Sequence, residues 1–347
     1  MQAPVKRTTI KDVAREARVA TTTVSRYLNN AKNIDPEIAK RIEQAIVATN
    51  YHPNLLARSL KMQRSQIISL IVPDICNPFY SLMAKTAQRC VSKRNCFLSL
   101  YDTDGDSSKE NAALDLALQQ NCCGILFASL DFKASLLYSA NFADTPLVGL
   151  NAYSQKFPYD LVHVMPKGGT YLAMKHLLSL GHRLIAFAGG TPESIIAVNR
   201  RDGYLTALEE AGIPANPHFI FEMGFSQQDG YRAGRYFSSF SPLPTAICCA
   251  NDQIALGVIE ALQSLGLSVP EDISVTGVDN IPYSCISKPS LTTVTNDGAK
   301  FAELGTKLLF ERIDGIYSGE KRKAVVPNTL IERNSTSAPV QNTGETN

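Results

Sequence analysis

Two successive series of short apolar runs constrain this chain more than any other feature. IISLIV (67–72), CFLSL (96–100), CGILFA (123–128) and PLVGL (146–150) are of strand length, and stretches of helical spacing separate them. Runs without polar alternation bury both faces, and their alternation with amphipathic helices is the pattern of a parallel sheet covered on each side. RLIAFAGG (183–190), HFIF (218–221), TAICCA (245–250) and ISVTGV (273–278) repeat the pattern. Two α/β series of similar size predict two lobes. An apolar run after residue 290, a helix over 297–315 and KAVVPNTLI (323–331) predict that the chain crosses back between them. The closing SAPVQNTGETN is polar and reads as disordered.

The first 50 residues have a different rhythm. Thr9 with Asp12 forms a capping-box-like start, and Ile10, Val13, Ala14 and Ala17 follow at helical spacing. After Arg18-Val19-Ala20 comes TTTVSRYL (21–28), whose inward face is Val24 and Leu28. Asp35 as N-cap and Pro36 at the first helical position open a third helix carrying Ile38, Ile42, Ala45 and Ile46 on one side. Two helices joined by a short turn and closed by a third predict a helix-turn-helix domain. In YHPNLLARSLKMQRS (51–65), three leucines interleave with Arg58, Lys61 and Arg64 in a helix too short to stand alone in water. It is expected to order on binding.

Charge follows the same division. The whole chain is only +2, but residues 1–65 hold twelve Lys and Arg against five acids, +7, leaving 22 against 27, or −5, for the rest. That asymmetry predicts a cationic module for nucleic acid joined to a mildly acidic body.

Several classes are disfavoured. No stretch has the 18 or so apolar residues of a membrane span, and the opening MQAPVKRTTIKD runs into charge, so a cytoplasmic, nucleoid-associated protein is expected. The eight cysteines form no C-x-x-C and read as reduced, mostly buried side chains, with no metal site. A sugar kinase with a DNA-binding head would need a phosphate-cradling loop. Neither G-x-x-x-x-G-K-[ST] nor G-x-G-x-x-G occurs, and Ala188-Gly189-Gly190 is a weak substitute. H-E-x-x-H and G-x-S-x-G are also missing, so no enzyme activity and no cofactor are expected. A transport-type sugar-binding protein would share the body but has no use for the basic head.

TIKDVAREARVATTTVSRYLNN (9–30), YHPNLLARSLK (51–61), LIVPDICNPFY (70–80), LGHRLIAFAGG (180–190), NRRDGYLTALEEAGI (199–213), ANDQIALGVIEAL (250–262), VPEDISVTGVDNIPYS (269–284) and PSLTTV (289–294) resemble, in order, the lac repressor/galactose repressor family. The resemblance implies a small all-α helix-turn-helix head over 1–50, a hinge helix over 51–65 and a body over 66–340 like a periplasmic sugar-binding protein. Its lobes would span about 66–163 with 296–324, and 164–295 with 325–340, leaving 341–347 as a disordered tail. It further implies a homodimer on a pseudo-palindromic double-stranded operator, and the tail SAPVQNTGETN shows no leucine heptad that would join dimers into a tetramer.

In a helix-turn-helix the second helix enters the major groove, so Thr21, Thr22 and Arg26 can reach base edges; Arg26 suits guanine or a phosphate. The family set adds Thr9, Thr23, Ser25 and Asn29, and in the hinge Asn54, Ala57, the minor-groove wedge Leu60 and Lys61. The turn departs from the family's Gly or Asn and Ser: Arg18 is strained by about 1 kcal/mol if its φ is positive, and Ala20 supplies no side-chain cap.

Ligands of doubly wound sheets sit beyond the strands' carboxyl ends and between lobes. Asp74, Asn77, Asn151, Asn251, Asp252 and Asp279 end predicted strands there. By resemblance Arg200, Asn251 and Asp279 grip the effector, Phe225 stacks on it, Phe79 lines the opposite lobe, and Asn151 and Asn296 complete the set. Carboxylates and amides suit paired hydroxyls, a guanidinium suits oxygens, and an aromatic face suits a sugar's apolar side. Phe79 and Phe225 also suit the core, and Asp252 a helix cap. Asn151, often acidic in relatives, leaves Arg200 with less negative charge and favours an effector bearing a carboxylate or phosphate. The implied protein is a repressor of a carbohydrate-utilisation operon, controlled by a small sugar or sugar acid that shifts a two-state equilibrium toward release or co-repression.

Overall fold

The computed structural model describes residues 8–28, 34–51, 65–130, 142, 145–151, 157–165 and 168–340. Asn29, the hinge residues Asn54, Ala57, Leu60 and Lys61, and the tail 341–347 lie outside that range. The chain divides into two compact units, residues 1–65 and 66–347.

In the first unit, α1 (Ile10–Ala17), α2 (Thr21–Leu28) and α3 (Pro36–Ala48) close on Val13, Ala14, Ala17, Val24, Ile42 and Ala45. Thr9 and Asp12 form the reciprocal capping box. Asp35 accepts from the amides of Glu37 and Ile38, with Pro36 at the first helical position. The turn after α1 puts Arg18 in the left-handed region, φ 52° and ψ 49°. An added cation supports it: Arg41 from α3 donates to the carbonyls of Ala17 and Arg18, satisfying acceptors that α1 leaves open at its end.

The body contains, in chain order, β1 (Ile67–Val72), α4 (Pro78–Ser92), β2 (Phe97–Asp102), α5 (Ser107–Gln119), β3 (Gly124–Ala128), β4 (Leu147–Leu150), β5 (Asp160–Val164), α6 (Gly168–Ser179), β6 (Ile185–Gly189) and α7 (Ile195–Glu210). There follow β7 (Ile220–Glu222), α8 (Gln227–Phe237), β8 (Ala246–Cys249), α9 (Asp252–Ser264), β9 (Ser274–Asp279), the short α10 (Tyr283–Ile286), β10 (Thr292–Thr295), α11 (Gly298–Ile313), β11 (Lys323–Val326) and β12 (Leu330–Ile331). One sheet has the order β11-β5-β4-β3-β1-β2 and the other β12-β10-β9-β8-β6-β7. The central strands are buried on both faces, as their unbroken apolar runs require.

Three details differ from the sequence reading. The second sheet is not wholly parallel, because β12 pairs antiparallel with β10. The run 323–331 is two strands in different sheets: β11 stays in the first lobe to Val326, past the expected crossing at 324, and Pro327 interrupts the run before β12. A proline cannot donate to a ladder, which makes this a natural place to leave a sheet. Of the free cysteines, Cys122, Cys248 and Cys249 are buried, while Cys76 and Cys285 are exposed, so the set is not mostly buried. Among the described residues no helix is long and apolar enough to cross a membrane, and no group of three or more His, Cys, Asp or Glu could hold a metal ion.

Two polar clusters tie distant segments together. Asp160, at the start of β5, accepts from Arg312 at the end of α11 (2.7 and 3.0 Å) and from the side chain and backbone of Arg322 before β11. Burial alone would raise the carboxyl's pKa, but these donors outweigh it and hold it low. In the second lobe, His182 contacts Thr245 Oγ1 (2.9 Å) and the carbonyl of Ser337 (2.8 Å), and His176 contacts Thr336 Oγ1 (3.0 Å). These contacts dock the last described segment onto the second lobe.

Candidate functional site

The head presents one polar helix face. Val24 turns inward and is fully buried, which leaves Thr21, Thr22 and Arg26 exposed on the other side of α2. Thr9 is exposed at the start of α1, and Thr23 and Ser25 are half-buried on α2.

The body holds a cleft of about 380 Å³ lined by both lobes. The carboxyl ends of the strands build it: β1 leads to Asp74 and the N-cap Asn77 of α4, β4 to Asn151, β8 to Asn251 and β9 to Asp279. Arg200 comes from α7 and Phe225 from the loop before α8.

The centre of the cleft is an ion pair. Arg200 donates to Asp279 Oδ1 at 3.0 Å and to the carbonyl of Ala250, with only 11% and 5% of the two charged side chains exposed. Burial pushes the Asp279 carboxyl up, whereas Arg200 and Asn296 pull it back. Asn151, in the left-handed region at φ 59°, is 2% exposed, and its Oδ1 has no hydrogen-bond partner among the described residues. A buried amide oxygen left this way suits a ligand that brings a donor. Asn251 caps α9 through Ile254 N (2.8 Å), and its Nδ2 donates to the carbonyl of Phe225 (3.0 Å). The Phe225 ring lies over Gly190, where an added Cβ would stand 2.1 Å from Cζ. The second glycine of Ala188-Gly189-Gly190 therefore makes room for an aromatic ring, not for a phosphate.

Several sequence expectations are revised by this geometry. Asn296 does not line the cleft; it stands behind Asp279 and donates to its Oδ1 at 3.1 Å. Asp252 is not the cap of α9, because Asn251 is. Phe79 serves both roles weighed for it: it lines the cleft and is buried edge-on against Tyr80 and Phe301. Arg200 is not short of negative charge, since Asp279 is paired with it and Asp74, Asp104 and Asp229 also line the cleft. Asp104, Thr191, Ile196 and Asp229 escaped sequence reasoning. The Ser226-x-x-Asp229 capping box at the start of α8 was the available signal for one of them.

The head matches the model of bacterial regulatory proteins of the lacI family over residues 9–54, and the body matches a periplasmic binding protein-like domain over 174–336. The chain is 35% identical to the HTH-type transcriptional repressor PurR of Pasteurella multocida (strain Pm70), covering 88% of this chain and 92% of that one. This protein belongs to the LacI family. The Haemophilus influenzae ribose operon repressor is 33% identical over 93% of this chain and 97% of its own. A lac repressor dimer bound to operator and the anti-inducer ONPF superposes with a TM-score of 0.86 at 25% identity, covering 96% of this chain and all of that one. This LacI-family member is thus a DNA-binding transcriptional regulator and not an enzyme.

Proposed function

We propose that this cytoplasmic repressor binds a pseudo-palindromic operator as a homodimer and controls a carbohydrate-utilisation operon, its operator affinity being set by a sugar in the interlobe cleft. The observation that carries the effector reading is the paired Arg200–Asp279 in one cleft with the buried Oδ1 of Asn151, which has no partner among the described residues, and the Phe225 ring. Acceptors with spare capacity and an aromatic wall fit hydroxyl donors on a sugar ring. Among the described residues four aspartates and one guanidinium line the cleft, which favours a neutral sugar over a sugar acid or phosphate. On the DNA side, Thr21, Thr22 and Arg26 read bases, with Thr9, Thr23 and Ser25 positioning the helix on the backbone. A ligand touching both lobes prefers one interlobe arrangement, and release or co-repression follows from which arrangement holds the operator.

Thermal-shift screening of the intact protein against neutral sugars, sugar acids, sugar phosphates and purines tests this reading, with operator binding followed by fluorescence anisotropy. A neutral sugar should raise the body's melting temperature and change operator affinity. A response confined to phosphates or purines, or one that leaves operator affinity unchanged, would contradict the effector assignment.

A further inference from the structure

Asp252 is the first helical residue of α9 and is completely buried. Its Oδ2 accepts from the backbone amide of Ile281 (2.8 Å) and from Ser284 Oγ (2.5 Å), and its Oδ1 accepts from Thr293 Oγ1 (2.5 Å). Ser284 and Thr293 are themselves fully buried. The carboxylate fits because residue 277 is glycine: a Cβ there would stand 2.2 Å from Asp252 Oδ1. Burial and the nearby Asp279 push this carboxyl up to about 7, against the pull of its three donors and the helix N-terminus; those three bonds commit the group to the segment it grips.

That segment joins two functions within a few residues. Asp279, with φ 111°, is the cleft carboxylate paired with Arg200, and Asn280 follows it with φ 53°. Ile281, whose amide Asp252 holds, belongs to the buried cluster of the first lobe together with Phe79 and Phe301. The adjacent Asn251 meanwhile holds the carbonyl of Phe225 on the cleft side. The start of α9 thus grips the aromatic loop with one residue and the Asp279–Ser284 segment with the next.

We infer that Asp252 is a positioning residue that couples the occupancy of the cleft to the contact between the lobes, by locking Asp279 and Ile281 into one rigid segment. A positive-φ aspartate two residues from an interlobe contact would otherwise relax independently of it. With the segment locked, a ligand that moves Asp279 moves Ile281 against the first lobe. The inference rests on the cleft being the effector site, but its test is made without ligand, so the two readings fail separately.

Hydrogen–deuterium exchange of the full chain, comparing Asp252→Ala with the parent, provides the test. Val258→Ala, in the second-lobe core, serves as a control for simple destabilisation. Loss of the carboxylate should speed exchange at least about tenfold in 279–291 and in the first-lobe stretch 78–84, leaving 245–250 within about twofold. Ser284→Ala should give the same pattern more weakly, and it decides the matter if Asp252→Ala does not fold. Unchanged exchange in 78–84, or an equal effect there from Val258→Ala, would overturn the coupling role.

Discussion

At the scale of single residues, chemistry depends on which charges meet. Arg200→Ala removes the partner of a buried carboxylate, so the body should lose about 3–5 kcal/mol of stability, and effector affinity should fall along with it. Calorimetric titration with the screened ligand, beside a melt, checks both; unchanged binding would remove Arg200 from the site. Arg18 occupies a left-handed position at φ 52°, so Arg18→Gly should stabilise the head by about 1 kcal/mol in denaturant unfolding of residues 1–65. A loss of stability would mean that the Arg18 side chain contributes more than its backbone costs. Asn151, Asn251 and Asp279 were legible as polar residues ending apolar runs. The support of Asp279 by Asn296 was not, because a hydrogen bond between two side chains leaves no periodic trace in the sequence.

At the scale of elements, the capping signals were local and therefore readable: Thr9 with Asp12, and Asp35 with Pro36. The sides of helices and strands followed from period alone. The polar ties between elements did not, because Asp160 finds Arg312 and Arg322 only when β5, α11 and β11 come together. Asp160→Asn should cost the body about 3–5 kcal/mol, as expected for breaking a buried ion pair, and equal melts for the two proteins would contradict that. The imidazole ties carry a pH signature. Burial lowers the pKa of His176, opposed weakly by Glu332, and lowers that of His182, opposed by its bond to Ser337. Each favours the folded state above the unfolded value of about 6.5, and that stability is lost as pH falls through the depressed folded values. The body's melting temperature should therefore drop as pH falls below about 6.5, and His182→Gln should flatten that dependence. A flat profile in the parent would contradict the assignment of neutral, buried imidazoles.

At the scale of the whole molecule, the +2 total is the sum of a +7 head segment and a −5 remainder. Residues 1–65 should bind DNA weakly and with a steep inverse dependence on salt, while residues 66–340 should not bind at all. Anisotropy across a salt series measures both, and binding by the body alone would contradict the division. By itself the sequence determined the helical head, the two α/β series, the return of the chain between them and the strand ends where a ligand would lie. These are local or periodic properties, set by capping, hydrophobic spacing and charge. Only the tertiary structure decided that Arg200 is already neutralised by Asp279, that Gly190 admits the Phe225 ring, and that Asp252 grips a loop instead of capping its own helix. Each of those depends on the distance and burial of residues far apart in sequence, where the loss of water makes a partner obligatory without saying which residue will supply it.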